Sequence, residues 1–199
     1  MAKCAVIIPC YNAEGFIEAT VKSVLNQDFE DFELIVVNDG STDGSLALLQ
    51  SIEDDRLTIL DQKNAGVAAS RNAGVAASSA PYLTFLDADD LIAKDSLKLR
   101  IAFLDQSPEY GAVANSLELF DSDSGKVISV THADTENLRN RILCFAGATG
   151  MSSSSVMMTR KSFEAAGDWD TVLSTAADQD FWIRLSDVTK VGAVKKVLT

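Results

Sequence analysis

The chain has 199 residues, of which 47% are hydrophobic, 23% are charged and only three are proline. That is the composition of a soluble globular domain with one sizeable core, and it excludes fibrous and disordered classes. The formal net charge of −12 argues against a surface built to hold nucleic acid or anionic lipid. It leaves room for a small phosphorylated ligand, because a divalent cation can supply positive charge locally.

Cysteine usage points the same way. Cys4, Cys10 and Cys144 are odd in number and lack Cys-x-x-Cys spacing, which fits reduced thiols rather than a disulfide framework or a zinc site. The first apolar run is broken by Pro9 and is too short for a secretory signal. No stretch approaches the ~18 apolar residues that span a bilayer. The expected location is the cytoplasm, with peripheral attachment at the inner face of a membrane left open.

In chain order, residues 1–100 alternate strands and helices. Cys4 to Ile8, closed by Pro9, reads as a buried parallel strand. Phe16, Ile17, Thr20, Val21, Val24 and Leu25 recur at helical spacing. Phe32 to Val37 is a second strand, 41–51 a turn and helix, Leu57 to Leu60 a third strand, and 67–77 an alanine-rich helix. Residues 81–86 form a fourth strand, which ends at Asp87. This order predicts right-handed crossovers and a doubly wound, mainly parallel α/β sheet. In such sheets ligands lie beyond the carboxyl ends of the strands. The polar clusters fall there: Tyr11-Asn12, 38–43, 61–64 and 87–90.

The second half is less regular. Residues 112–120 and 126–130 suggest a hairpin around the turn 121–125. A helix is expected over 134–145, a mobile loop rich in small residues over 147–155, a short strand over 156–159, a helix near 161–166 and an amphipathic helix over 178–186. No linker or internal repeat is visible. The chain therefore reads as one domain over 1–199.

Asp87-Ala88-Asp89 carries the chemistry. In an extended segment residues i and i+2 point the same way, so the two carboxylates can face one ligand. Carboxylates suit Mg²⁺ or Mn²⁺, which also bind phosphate oxygens and offset charge on a leaving diphosphate. The bland alternative is a solvated turn after a strand. The stretch 38–44 reads as a turn capping the next helix, and a carboxylate at Asp39 could also accept an N–H from a nucleobase. A dinucleotide fold and a P-loop are disfavoured, because neither glycine signature is present.

With these residues in view, the chain resembles the inverting family 2 glycosyltransferases of the A-type glycosyltransferase fold. Ile7 to Asn12 resembles the family's opening strand motif and Val37 to Asp43 its second. Residues 64–66 with 70–74 resemble the third, and Phe85 to Asp90 the Asp-x-Asp signature. Ser155 to Met158, Phe163 and 167–170 look like the stretch before the family's base, and Asp178 to Arg184 like its final helix. The pieces follow the family's order across residues 5–185.

The resemblance implies a role for each position. Pro9, Tyr11, Asn12 and Asp39 would line the nucleoside pocket, with Asp39 facing the base. Arg71 would lie near the nucleotide or diphosphate. Asp87, with Ala88 beside it, would contact the ribose or the water shell of the metal, and Asp89 would coordinate Mn²⁺ or Mg²⁺. Asp178 would be the general base. The implied reaction is metal-dependent, inverting transfer of a sugar from a nucleotide-diphospho-sugar, a UDP-sugar first of all. The acceptor would be a hydroxyl of a glycan or a lipid-linked molecule in cell-surface polysaccharide or glycoconjugate synthesis.

Ala177 departs from the family, which has glutamate there. The competing role for Asp178 is helix capping; Asp180 is the second candidate base, and Trp182 suits either the acceptor or the core. His132, the only histidine, is expected to be solvated. The serines 152–155 make no nucleophile elbow, and the stretch 121–125 lacks the glutamate that closes a calcium loop. Two other readings stay open. A sugar-1-phosphate nucleotidyltransferase is disfavoured by the absence of a glycine- and basic-rich loop after the first strand. A catalytically silent nucleotide-binding module is suggested by Ala177.

Overall fold

The computed structural model describes residues 2–143, 151–173 and 176–199. Its centre is an eight-stranded sheet. The strands β1 (Cys4–Cys10), β2 (Phe32–Asp39), β3 (Leu57–Gln62) and β4 (Tyr82–Phe85) form its parallel part in the order β3-β2-β1-β4. Strand β7 (Val156–Thr159) pairs antiparallel to β4 and to β5 (Tyr110–Phe120). The inner half of β5 also pairs with β8 (Lys190–Val197) in parallel, and its outer half forms a hairpin with β6 (Val127–Thr131). The sheet is mixed and mainly parallel, as the sequence predicts.

Helices cover both faces, and β1 shows why. Ala5 and Ile7 point into one core; Cys4, Val6, Ile8 and Cys10 point into the other, following the two-residue period of a strand. The second core is closed by α1 (Ile17–Leu25), α2 (Ser45–Gln50) and α4 (Ser96–Gln106). The first is closed by α3 (Val67–Ala76), α5 (Leu138–Leu143), α6 (Arg160–Ala166) and α7 (Ala177–Val188). Helix α3 lies close to the sheet at Gly74, where a Cβ would stand 2.4 Å from Ile7 Cγ2.

Several expectations need correction. The helix expected over 134–145 is shorter: α5 starts at Leu138, preceded by Asn137 in the left-handed region at φ 50°. Phe145 lies outside the described residues. Of the expected mobile loop 147–155, residues 147–150 also lie outside them. Ser153–Ser155 is instead a 3₁₀ turn closed by a capping box, with all three serines fully buried. Two elements were not anticipated. Helix α4 buries Ser96 and the charged Arg100 beside Leu97, Ile101 and Leu104, so its apolar period is blurred. Strand β8 carries Gly192 and three lysines with only Val191 and Gly192 buried, which leaves no clean alternation.

Candidate active site

The carboxyl ends of β1, β2 and β4 surround a cleft of about 570 Å³. Pro9, Tyr11, Asn12, Asp39, Asp87, Ala88 and Asp89 all line it. Its rear is built by loop-to-loop bonds. Asn12, held at φ 51°, accepts the Thr42 N–H at 2.8 Å and donates its own N–H to Ser41 Oγ at 3.0 Å. The Ala13 N–H reaches Ser45 Oγ at 2.8 Å. The turn predicted to cap α2 therefore also fixes the loop after β1. Tyr11 and Phe16 stand half exposed at the lip, 52% and 47%, two aromatic faces open to a ring ligand.

Asp39 is 3% exposed. Its Oδ1 accepts from Gln62 Nε2 at 2.7 Å and from the Ala65 N–H at 2.9 Å, and its Oδ2 accepts from the Gly66 N–H at 2.8 Å. A carboxylate offers about four acceptor positions, so one more donor can be taken from the cleft. The buried charge is matched by backbone donors at the start of α3, where the helix dipole also favours it.

The second half of the site centres on Arg71 of α3, 3% exposed. Its Nη1 donates to Asp178 Oδ1 at 2.7 Å; its Nη2 donates to Asp87 Oδ1 at 2.9 Å and Ser153 Oγ at 2.6 Å. The guanidinium lies 4.4 Å from the ring centroid of Trp169. Trp169 itself is 1% exposed and stacks on Phe181. One planar cation thus ties the end of β4 to the first turn of α7, and an aromatic floor fixes its plane.

The serine turn completes the frame. Ser153 Oγ donates to Asp178 Oδ2 at 2.9 Å. Ser154 Oγ accepts the Asp87 N–H at 3.0 Å and donates to Asp90 Oδ2. Thr20 Oγ1 of α1 donates to the Ala88 carbonyl at 2.8 Å. Asp87 and Asp90 have raised carboxyl pKa values, chiefly because burial disfavours the charged form. At Asp87 the Arg71 charge opposes this, while Asp178 and Asp89 add to it. At Asp90 the Ser154 hydroxyl opposes it, while Asp87 and Asp89 add.

Asp89 is exposed and makes no hydrogen bond or ion pair with another described residue. Two carboxylates, Asp87 and Asp178, thus hold one guanidinium, and Asp89 and Asp90 lie close to Asp87. This excess of hard oxygen donors fits Mg²⁺ or Mn²⁺. No group of three His, Cys, Asp or Glu side chains among the described residues forms a ligand cage. A cation here would take one or two carboxylates and complete its shell with phosphate oxygens and water, which is how such ions commonly sit beside phosphates.

Asp178 makes no capping bond: the position before α7 is Ala176, in the left-handed region at φ 62°. Asp180 pairs with Arg184 at 2.8 Å, and Arg184 also donates to the carbonyls of Ala166, Gly167 and Asp168. Trp182 is 3% exposed within the aromatic cluster, and His132 is exposed. Phe16, Asp90, Ser153 and Ser154 are site residues that sequence reasoning did not single out. The serine run had a readable signal, a Ser-x-x-Ser box at the start of a buried apolar strand, but its partners lie 25 to 82 positions away.

Among the described residues, no helix is long and apolar enough to cross a membrane. Comparison with known proteins agrees with the geometry. A family model described as glycosyl transferase family 2 matches residues 5–167. Poly-β-1,6-N-acetyl-D-glucosamine synthase of Staphylococcus aureus is 30% identical over 174 residues, 85% of this chain and 42% of its own. The chain spans between 14% and 44% of the length of the curated relatives it matches.

Among solved structures, S. aureus TarS 1–349 in complex with UDP-GlcNAc superposes with a TM-score of 0.81 at 22% identity, over 98% of this chain and 57% of that one. The mannosyltransferase PcManGT of Pyrobaculum calidifontis, in complex with GDP-Man and Mn²⁺, gives 0.74 at 20% identity, over 98% and 56%. These likenesses show the A-type glycosyltransferase fold. The family match spans well over half the sequence, and the chain belongs to glycosyl transferase family 2.

Proposed function

We propose that the chain is the catalytic part of a metal-dependent, inverting glycosyltransferase that moves a sugar from a UDP-sugar to a hydroxyl of a glycan or lipid-linked acceptor. The observation that carries this is the pair of carboxylates on opposite sides of Arg71, Asp87 beside the nucleotide cleft and Asp178 on α7. The named ligands of the relatives support the donor class: TarS is seen with UDP-GlcNAc and PcManGT with GDP-Man and Mn²⁺. A polymer synthase of N-acetylglucosamine is a sequence relative.

In this reading Tyr11 and Phe16 stack against the nucleoside, and Asp39 accepts an N–H from the base. Asp89, with Asp87, would hold the cation. The cation's contribution is to offset charge on the departing diphosphate. Asp178 takes the proton from the acceptor hydroxyl. The hydroxyl oxygen then bonds to the anomeric carbon as the bond to the diphosphate oxygen breaks, and the configuration inverts. Ser153 and Arg71 fix the Asp178 carboxylate, leaving it free lone pairs to receive that proton.

Incubation with a panel of nucleotide-sugars and Mn²⁺ tests the reading. UDP should be released slowly from a UDP-sugar even without acceptor. Complete absence of release across the panel, with UDP still bound, would instead favour the silent nucleotide-binding module.

A further inference from the structure

The open space does not end at Asp89. A second groove of about 680 Å³ shares Phe16 and Asp89 with the nucleotide cleft and runs toward the β5–β6 hairpin. Phe16 and Leu91 stand on one side of it, Leu119 and Phe120 on the other. These four side chains are between 36% and 56% exposed. The pairing of β5 with β6 shifts register between Leu119 and Phe120, the kind of irregularity that re-aims side chains. Asp89, Asp90, Glu118 and Asp123 also line the groove, and among the described residues no Lys or Arg does.

We propose that this groove is the acceptor channel, and that it takes a neutral or amine-bearing saccharide chain while rejecting chains that carry phosphate or carboxylate groups. This rests on the transferase reading above and adds the acceptor class to it. Three features select that occupant. The groove is continuous with the site at Asp89, so a chain lying in it ends beside the reacting sugar. Exposed aromatic rings offer flat apolar faces to the C–H faces of sugar rings, while carboxylates accept from hydroxyls and attract ammonium groups. A polyanionic chain would meet like charges along its whole length, with no basic side chain to compensate. A lipid tail is disfavoured as well, because burying it there would strip water from carboxylates.

The test is calorimetric titration of the chain with three probes of similar length. These are the neutral N-acetylglucosamine tetramer, its de-N-acetylated amine form and a glycerol-phosphate oligomer, each added with UDP and Mn²⁺ present. The neutral or the amine probe should bind and the phosphate oligomer should not. Phe120→Ala should weaken the binding by about tenfold. Glu118→Lys should weaken the amine probe comparably and admit the phosphate oligomer. Both positions are exposed, so the fold should tolerate the changes. Equal affinity in the parent and both variants, tighter binding of the phosphate oligomer to the parent, or binding by none of the probes would overturn the proposal. UDP release from a UDP-sugar by the same preparation keeps the two readings apart: if it persists while the titrations fail, only the groove assignment falls.

Discussion

At the scale of single residues, Asp178 is held at both oxygens, by Arg71 and by Ser153. In the proposed reading Asp178 is the base, and removing one anchor should loosen it without touching the cleft at Asp39. Ser153→Ala is therefore expected to lower kcat by about tenfold with little change in KM for the donor, and Ser153→Thr to restore much of it. A rise in donor KM with kcat unchanged would contradict this positioning role. Asp90 allows a test by pH. Its carboxyl is raised by burial, so between the ordinary carboxylate range and the raised value the folded protein binds more protons than the unfolded chain. Stability contributed by this group is then lost as pH rises through that window. Asp90→Asn keeps an acceptor for Ser154 and cannot ionise. The difference in melting temperature, variant minus parent, should grow as pH rises from acid toward neutral; a constant or shrinking difference refutes the assignment. The carboxylates at strand ends were legible in the sequence because a strand ending in polar residues announces itself. The serine hydroxyls were not, because what they do depends on partners distant in the chain.

At the scale of elements, the site hangs on α3. This helix carries Arg71, and Gly74 one turn later lets it approach β1. Gly74→Ala would force a Cβ to within 2.4 Å of Ile7 Cγ2, so the helix must shift outward. The expected cost is about 1–3 kcal/mol by chemical denaturation, with transfer activity falling because the guanidinium moves with the helix. Wild-type stability in this variant would show that the close approach is relaxed at no cost. The alternation of β1 to β4 with α1 to α3 was readable because buried parallel strands are continuous apolar runs and the helices have a clear period. Helix α4 and strand β8 were not readable. A buried Arg100 and Ser96 mask the apolar face of one, and three exposed lysines interrupt the other. The β5–β6 hairpin was legible from its turn, whereas its apolar exposure belongs to the sheet edge and to no local pattern.

At the scale of the whole molecule, an acidic chain with a net charge of −12 concentrates four carboxylates beyond the carboxyl end of the central strand β4 and on α7, with one buried guanidinium bridging two of them. In the proposed reading the arrangement separates two tasks: the β4 end would serve the donor and its cation, and α7 the acceptor. The measurement that tests this division most directly is a paired one, UDP binding by calorimetry with Mn²⁺ and the rate of sugar transfer, on Asp89→Ala and Asp178→Asn. The account predicts that Asp89→Ala loses Mn²⁺-dependent UDP binding, while Asp178→Asn binds UDP as the parent does and transfers more slowly by two or more orders of magnitude, roughly the worth of a general base. Unchanged UDP binding in the first variant, or parental transfer in the second, would contradict it.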